Sequence, residues 1–251
     1  MRVQEISSKD NPVFRNLKTL LTSKGIKEEN KFFLMGEKLI HEFLKKKQSP
    51  FHIKYAIGFD EMPFPLVPHW VKLKKELFNE IDILGTHYPL LVLEYKSFHE
   101  FNFNEQPEGL EIVSPLGDPK NLGSLLRSAA AFGASKVILT RESCHPYLPH
   151  SIKSSAGAAL DLPVYLNTQP LNLIPMTGAN IALDLNGESL QNFSWPENLR
   201  LWVGEEGPGL QLSEDQKKKI KRVTIPTQNV ESLNATVSTS LALWEWKNRK
   251  K

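Results

Sequence analysis

LEIVSPLGDPKNLGSLLRSAAAFGASKVILT, residues 110–140, runs from an apolar strand through a polar turn and an amphipathic helix into a second apolar strand. Leu110–Ser114 and Lys136–Thr140 have strand length, and Asn121–Phe132 has helix length between them. That order argues for strands laid parallel beneath a covering helix. The alternation continues downstream, with a helix from Ser151 and a strand at Leu162–Leu166. Asn180–Leu185 and Leu199–Gly204 read as two more strands. A helix capped by Ser213 runs to Lys219, followed by a strand at Val223–Ile225 and a closing helix at Leu233–Lys247. The expectation is a mostly parallel sheet covered on both faces.

Upstream the pattern is α–β–α–β. Asp10-Asn11-Pro12 is a helix start, and Val13, Phe14, Leu17, Leu20 and Leu21 follow at helical spacing until Gly25 ends the run. Lys31–Met35 reads as a strand. Gly36 opens a helix carrying Leu39, Ile40, Phe43 and Leu44. Phe51–Gly58, Trp70–Leu73 and Leu90–Tyr95 read as strands, with Pro63, Pro65 and Pro68 marking a loop. Phe98–Glu108, with Asn102, Asn104, Gln106 and Pro107, lacks hydrophobic periodicity and reads as a linker. The sequence therefore divides into domains at 1–104 and 105–251.

Composition narrows the function classes. The chain has 251 residues, 40% hydrophobic and 24% charged, which is ordinary globular composition. One cysteine, Cys144, rules out an internal disulfide framework and argues against a cysteine-based zinc site. No apolar run has membrane-spanning length, and Met1–Asp10 lacks a signal-peptide core. The expectation is a cytoplasmic protein with no membrane and no metal. Net charge is only +3, but basic residues cluster at Lys45–Lys47, at Lys217–Lys219 with Lys221 and Arg222, and at Lys247 with Arg249–Lys251. Such clusters neutralise phosphates, although each is also an ordinary solvated helix face or terminus.

The phosphate-cradling loop of P-loop enzymes is absent, and Gly204, Gly207 and Gly209 are wrongly spaced for a dinucleotide turn. The seven histidines are scattered, in surface or loop positions for the most part. Three segments stand out instead. Gly117–Ala129 carries Asn121 and Arg127 at a helix start after a strand, where ligands of α/β proteins bind. Leu201–Leu210 runs an apolar strand into a turn with three glycines and two carboxylates. Ile225–Asn234 is strand, irregular loop and helix cap, with Ser232 or Asn234 as the capping residue.

In this order the three segments resemble the motifs of the SpoU (TrmH-like) branch of the SPOUT superfamily of RNA methyltransferases. The matching residues are Asn121, Gly123 and Arg127; then Gly204, Glu206 and Gly207; then Ile225, Pro226, Ser232, Leu233 and Asn234. Lys153–Ala158 is similar to the small-residue helix between the first two motifs. The resemblance covers roughly residues 110–247. Two departures stand out: Thr227 replaces the usual methionine, with no glycine after it, and Glu205 occupies a position that is usually small or an amide. Ile6–Pro12 and Phe32–Ile40 resemble, more distantly, the ribosomal-protein-like RNA-binding domain that precedes many such enzymes.

The resemblance implies a parallel-sheet α/β catalytic domain with a deep trefoil knot, a topology nearly absent elsewhere. It implies methyl transfer from S-adenosylmethionine to a ribose 2′-hydroxyl, and a homodimer in which each active site lies beside the partner chain. Gly204, Ile225 and Leu233 would hold the cofactor. Arg127 would engage the target, as a phosphate and oxyanion binder in preference to a base, because a guanidinium pKa lies above about 12. Asn121, Ser232 and Asn234 would orient substrate and loops, and Glu206 would brace the knot through backbone N–H groups. An N-terminal domain of this size fits ribosomal RNA enzymes better than transfer RNA enzymes. A non-catalytic RNA-binding protein would predict loss of Arg127, Ser232 or Asn234, and all three are present. Base methylation on the same fold is the enzymatic alternative.

Overall fold

The computed structural model describes residues 2–64, 67–205 and 209–249. Of the residues singled out above, Pro65, Glu206, Gly207, Lys250 and Lys251 lie outside them. The chain forms two compact units. The first runs through Ser97 and also takes in His145–Gly157; the second is Phe98–Cys144 with the chain from Ala158 onward.

The first unit holds β1 (Arg2–Ile6), α1 (Pro12–Thr19), α2 (Ser23–Glu29), β2 (Lys31–Leu34), α3 (Glu37–Lys45), β3 (His52–Gly58), β4 (His69–Leu73), α4 (Lys75–Ile81) and β5 (Leu90–Glu94). Its sheet runs β1-β4-β3-β5-β2, parallel from β1 to β3 and antiparallel through β5 to β2. Asn11 caps α1 by accepting from the Val13 amide at 2.9 Å. The expected first helix is two helices: α1 stops at Leu20, and Thr22 caps α2, inside which Gly25 lies. A Cβ on Gly25 would sit 2.1 Å from the Thr19 carbonyl oxygen, so glycine is there for close approach and not to end a helix. Strand β1 and helix α4 carried no clear periodic signal; four of the five β1 residues remain at least partly exposed.

Phe32 and Phe33 alternate across β2. Phe33 enters the core of Phe14, Leu17, Ile57, Phe78 and Val92, and Phe32 stacks on Tyr147 at 4.5 Å on the other face. Tyr147 also meets Phe51 and Tyr95 edge-on at 5.4 and 5.1 Å. This cluster is how His145–Gly157, including the short helix α5 (Pro149–Ser154), joins the first unit.

His145 is a loop residue but not a surface one; it is 1% exposed. Its Nδ1 accepts from the Tyr147 amide at 3.2 Å, which puts the ring proton on Nε2, 2.9 Å from the Tyr95 hydroxyl. Burial, with the Lys27 ammonium adding to it, holds the imidazole pKa down to about 3.

The second unit holds β6 (Leu110–Ser114), α6 (Pro119–Phe132), β7 (Lys136–Leu139), β8 (Val164–Leu166), β9 (Asn180–Ser189), β10 (Leu199–Trp202), α7 (Glu214–Lys219), β11 (Lys221–Thr224) and α8 (Ala235–Asn248). All its strand pairings are parallel, in the order β11-β9-β10-β6-β7-β8. One face carries α6 and α8 over Leu122, Leu125, Leu126, Leu201, Val203, Leu243 and Trp246. The other holds Phe101, Phe103, Ile138, Trp202 and Ile220.

The segment read as a linker belongs to this unit, and the division falls at Ser97/Phe98 instead of 104/105. The Phe101 amide donates to Leu166 O at 2.8 Å and the Leu166 amide to His99 O at 3.1 Å, so residues 98–101 run along the β8 edge. Phe101 and Phe103 are buried. Two apolar residues two apart were too few to show as periodicity.

The fold accepts His145 only as a neutral ring. Its contribution to stability is complete above the ordinary pKa of 6.5 and is lost as pH falls from there toward about 3. Wild type should therefore lose stability below pH 6.5 relative to His145→Gln, by up to about 1.4 kcal/mol per pH unit. Urea unfolding of both at pH 7.5, 6 and 5 measures this, and a difference that does not change with pH would refute it.

Candidate active site

Three loops leave the carboxyl ends of parallel strands in the second unit. The first joins β6 to α6. Asp118 caps the helix by accepting from the Lys120 and Asn121 amides at 2.9 and 2.8 Å, with Pro119 in the first turn. The helix thus starts two residues earlier than expected. Asn121 sits in its first turn, and Arg127 is exposed further along. Among the described residues Arg127 makes no hydrogen bond or ion pair.

The second loop follows β10. The Gly209 amide donates to Glu205 O at 3.1 Å and draws the turn closed. A Cβ on Gly204 would lie 3.3 Å from the Gly209 backbone, so glycine there admits the returning chain. Glu205 was the unexpected residue of this motif, and its geometry explains its presence. Its Oε1 accepts from the Gly117 amide at 3.0 Å, tying the second loop to the first. Glu206, expected to brace this turn, lies outside the described residues.

The third loop runs from β11 to α8. Thr227 Oγ1 donates to Val230 O at 2.8 Å. Asn229 has φ +64°, the left-handed conformation that asparagine tolerates better than most residues. Asn234, not Ser232, caps α8: its Oδ1 accepts from the Thr236 and Val237 amides at 3.0 and 3.3 Å. That fixes the amide orientation and directs Nδ2 to Asn121 Oδ1 at 3.4 Å, joining the first and third loops.

The second and third loops wall a cavity of about 420 Å³, a size suited to a small-molecule ligand. Gly204, Ile225, Ser232 and Leu233 line it; Asn121, Arg127 and Asn234 do not. Leu183, Asp184 and Leu185 form a further wall that sequence reasoning missed. They belong to an excursion in β9: its pairing with β11 jumps from Arg222↔Ala182 to Val223↔Glu188. Gly187 makes the excursion possible, since a Cβ there would lie 2.5 Å from Val223 N. The Asn186-Gly187 pair was the available signal, but it read as a strand end. The cavity offers apolar walls at Leu183, Val203, Leu210, Ile225 and Leu233, and carboxylates at Asp184 and Glu205. Asp184 stands 3.7 Å from Arg222. Among the described residues no group of three or more His, Cys, Asp or Glu could hold a metal ion.

The sequence pattern of the SpoU rRNA Methylase family matches residues 111–244. The chain belongs to this family. The SpoU match takes in all three loops. A protein named ribosomal RNA small subunit methyltransferase G 2, from Syntrophobacter fumaroxidans, is 34% identical over 97% of this chain, which spans only 49% of that protein's length. The 23S rRNA (guanosine(2553)-2'-O)-methyltransferase RlmP of Bacillus subtilis is 25% identical, with 96% of this chain and 98% of that one covered. Among solved structures, an AdoMet-bound rRNA methyltransferase from Sinorhizobium meliloti aligns with a TM-score of 0.75 at 20% identity, covering 97% of each chain. That likeness concerns the fold.

Glu205→Ala removes the acceptor for the Gly117 amide and should cost about 1 kcal/mol, with loosening of both loops. Glu205→Gln keeps an acceptor and should lose less. Thermal melts with amide exchange at Gly117 would read this, and equal protection in both variants would contradict it.

Proposed function

We propose that the protein transfers a methyl group from S-adenosylmethionine to a ribose 2′-hydroxyl of structured RNA, ribosomal RNA in preference to transfer RNA. The observation that carries this reading is the convergence of the three SpoU loops: one cavity lined by Gly204, Ile225, Ser232 and Leu233, flanked by the Asn121–Asn234 pair. The names of the two curated relatives, both ribosomal RNA methyltransferases, support the substrate class. RlmP's name supports the 2′-oxygen, and the cofactor in the Sinorhizobium protein supports the methyl donor. The trefoil knot of the resembled superfamily belongs to this reading, with the segment through residues 225–234 as the threaded part. So does action in the cytoplasm; no helix among the described residues is long and apolar enough to cross a membrane.

S-adenosylmethionine supplies an electrophilic methyl on a sulfonium. Ile225 and Leu233 provide apolar walls for adenine, and Asp184 and Glu205 place negative charge at the rim of the same cavity. In-line displacement needs the 2′-oxygen held at near-attack distance. Arg127 suits that role, because its fork grips a phosphate beside the target nucleotide and steadies charge developing on the oxygen. The Asn121–Asn234 bond holds the start of α6, which carries Arg127, against the cap of α8.

Arg127 does not line the cavity of its own chain, which fits a homodimer in which it serves beside the partner's. The helix α8 supplies the face. Its Leu243 and Trp246 are buried in the core of their own unit. Val237, Leu241 and Trp244 remain 48%, 41% and 51% exposed, at a spacing that puts them on one stripe.

Arg127→Ala should leave cofactor affinity intact and slow methyl transfer by about 10²–10³-fold. Lysine should not rescue it, because a point charge lacks the bidentate fork. Single-turnover assays with ribosomal RNA decide this, and a near-wild-type rate would end Arg127's assignment. Nuclease digestion of the product distinguishes 2′-O-methylribose from a methylated base.

Trp244→Glu should convert a dimer to a monomer, read by light scattering at micromolar concentration. A monomeric wild type, or an unchanged dimer in the variant, would remove α8 as the interface.

A further inference from the structure

A second cavity, of about 390 Å³, opens at the β8 edge of the sheet, formed by residues 100–104, Asn167, Gln169 and Pro175. It is separate from the SpoU loops, and the sequence had marked its first segment as a linker. Its polar lining is Glu100, Asn102, Asn104, Asn167 and Gln169, with no lysine or arginine among the lining residues. Phe101 and Phe103, whose rings meet edge-to-face at 4.8 Å, are also among the lining residues.

Asn167 is the decisive residue. It is only 4% exposed, and its Oδ1 accepts from the Gln169 amide at 3.0 Å, which fixes the orientation of the carboxamide. Its Nδ2 has no hydrogen-bond partner among the described residues, nor is it among the fully enclosed atoms. The accessible sliver of this otherwise buried side chain therefore presents a free donor at the cavity wall. Beside it, Thr168 Oγ1 donates to Glu100 Oε1 at 2.7 Å and holds the carboxylate in place, with no partner for Oε2 among the described residues.

A fixed donor, a held carboxylate and further amides, beside Phe101 and Phe103, suit a neutral ligand with donors and acceptors along one edge. A phosphate is disfavoured by the carboxylate and the lack of cations. An unstacked nucleobase meets every requirement, and such bases are read by amide and carboxylate side chains. The cavity is also placed for RNA. Leu166 pairs with Leu139, Leu139 with Ser114, and Val113 with Trp202. Extending that register puts Asn167 level with Gly204, three strand spacings away, or about 14 Å along the same carboxyl rim.

We propose that this cavity receives an unpaired nucleobase of the RNA substrate, a few nucleotides from the one that is methylated, with Asn167 Nδ2 and Glu100 reading its edge. The inference rests on the RNA reading under Proposed function. The test uses the full chain with fluorescein-labelled RNA: a random single-stranded 12-mer and a 12-base-pair duplex. Wild type should prefer the single strand. Asn167→Asp exchanges the donor for an acceptor, and Glu100→Ala removes the carboxylate. Each should weaken single-strand binding about tenfold while leaving duplex binding and S-adenosylmethionine affinity unchanged. Asn167→Asp buries a charge; if it fails to fold, the exposed Glu100→Ala carries the test alone. Wild-type single-strand affinity in a folded variant, or no preference for the single strand in wild type, overturns the cavity assignment and leaves the methyltransferase reading standing. A wild type that binds S-adenosylmethionine but neither RNA overturns both.

Discussion

Arg200 and Glu111 face each other in register on β10 and β6, at the centre of the parallel sheet, and both are almost wholly buried. Their bond is 2.7 Å long. The rest of the guanidinium donates to the carbonyls of Phe103, Thr177 and Glu105, and the second carboxylate oxygen accepts from Lys136 and the Glu108 amide. Breaking one partner of such a pair typically costs about 3–5 kcal/mol, because the other charge is left buried and alone. A one-residue slip of β10 against β6 would do that and would turn every side chain of the strand to the opposite face. The pair therefore sets register, and register sets what the two strands carry at their far ends. Gly117 beyond β6 and Glu205 beyond β10 meet at hydrogen-bond distance only in this alignment. The same guanidinium pins Phe103 and Glu105, so the wall of the second cavity depends on it too.

The main cavity is a consequence of backbone approach more than of side-chain volume. Gly187 lets β9 leave and rejoin its partner, Gly204 admits the returning chain at Gly209, and Asn229 takes a left-handed turn. None of the three needs a side chain in the cavity, and each would distort a wall if replaced by a β-branched residue. Among the described residues, hydrogen bonds from Glu205 to Gly117 and from Asn234 to Asn121 join the loops. Both are anchored at one end by a strand or a helix cap. The loops can thus be held in place while their ligand-facing surfaces stay free.

The first unit solves a different problem. Its sheet buries one face with its own helices and covers Phe32 on the other with Tyr147, supplied from 115 residues further along the chain. The residues between Cys144 and Ala158 are spent on this, and a neutral His145 completes the cluster. Burial also pushes the Tyr95 hydroxyl up to about 12, so both polar groups there stay uncharged at neutral pH.

The sequence by itself determined the parallel α/β class, the capped helix starts at Asn11 and Ser213, and the three loops that carry the family's residues. These are local patterns: capping side chains, helical spacing and strand–loop–helix order act over a dozen residues and can be read without knowing the fold. Gly204, Ile225, Ser232 and Leu233 lay within such patterns and were legible. Tertiary structure alone decided the rest. Glu205 looked like a departure because its partner, Gly117, lies 88 residues away. Leu183–Leu185 looked like the inside of a strand because β9's excursion exists only against β11. Phe98–Glu108 looked like a linker because its two buried phenylalanines and its Arg200 contacts are long-range. Asn167 carried no signal at all. A free donor is defined by what surrounds it, and long-range surroundings are not written in the order of the residues.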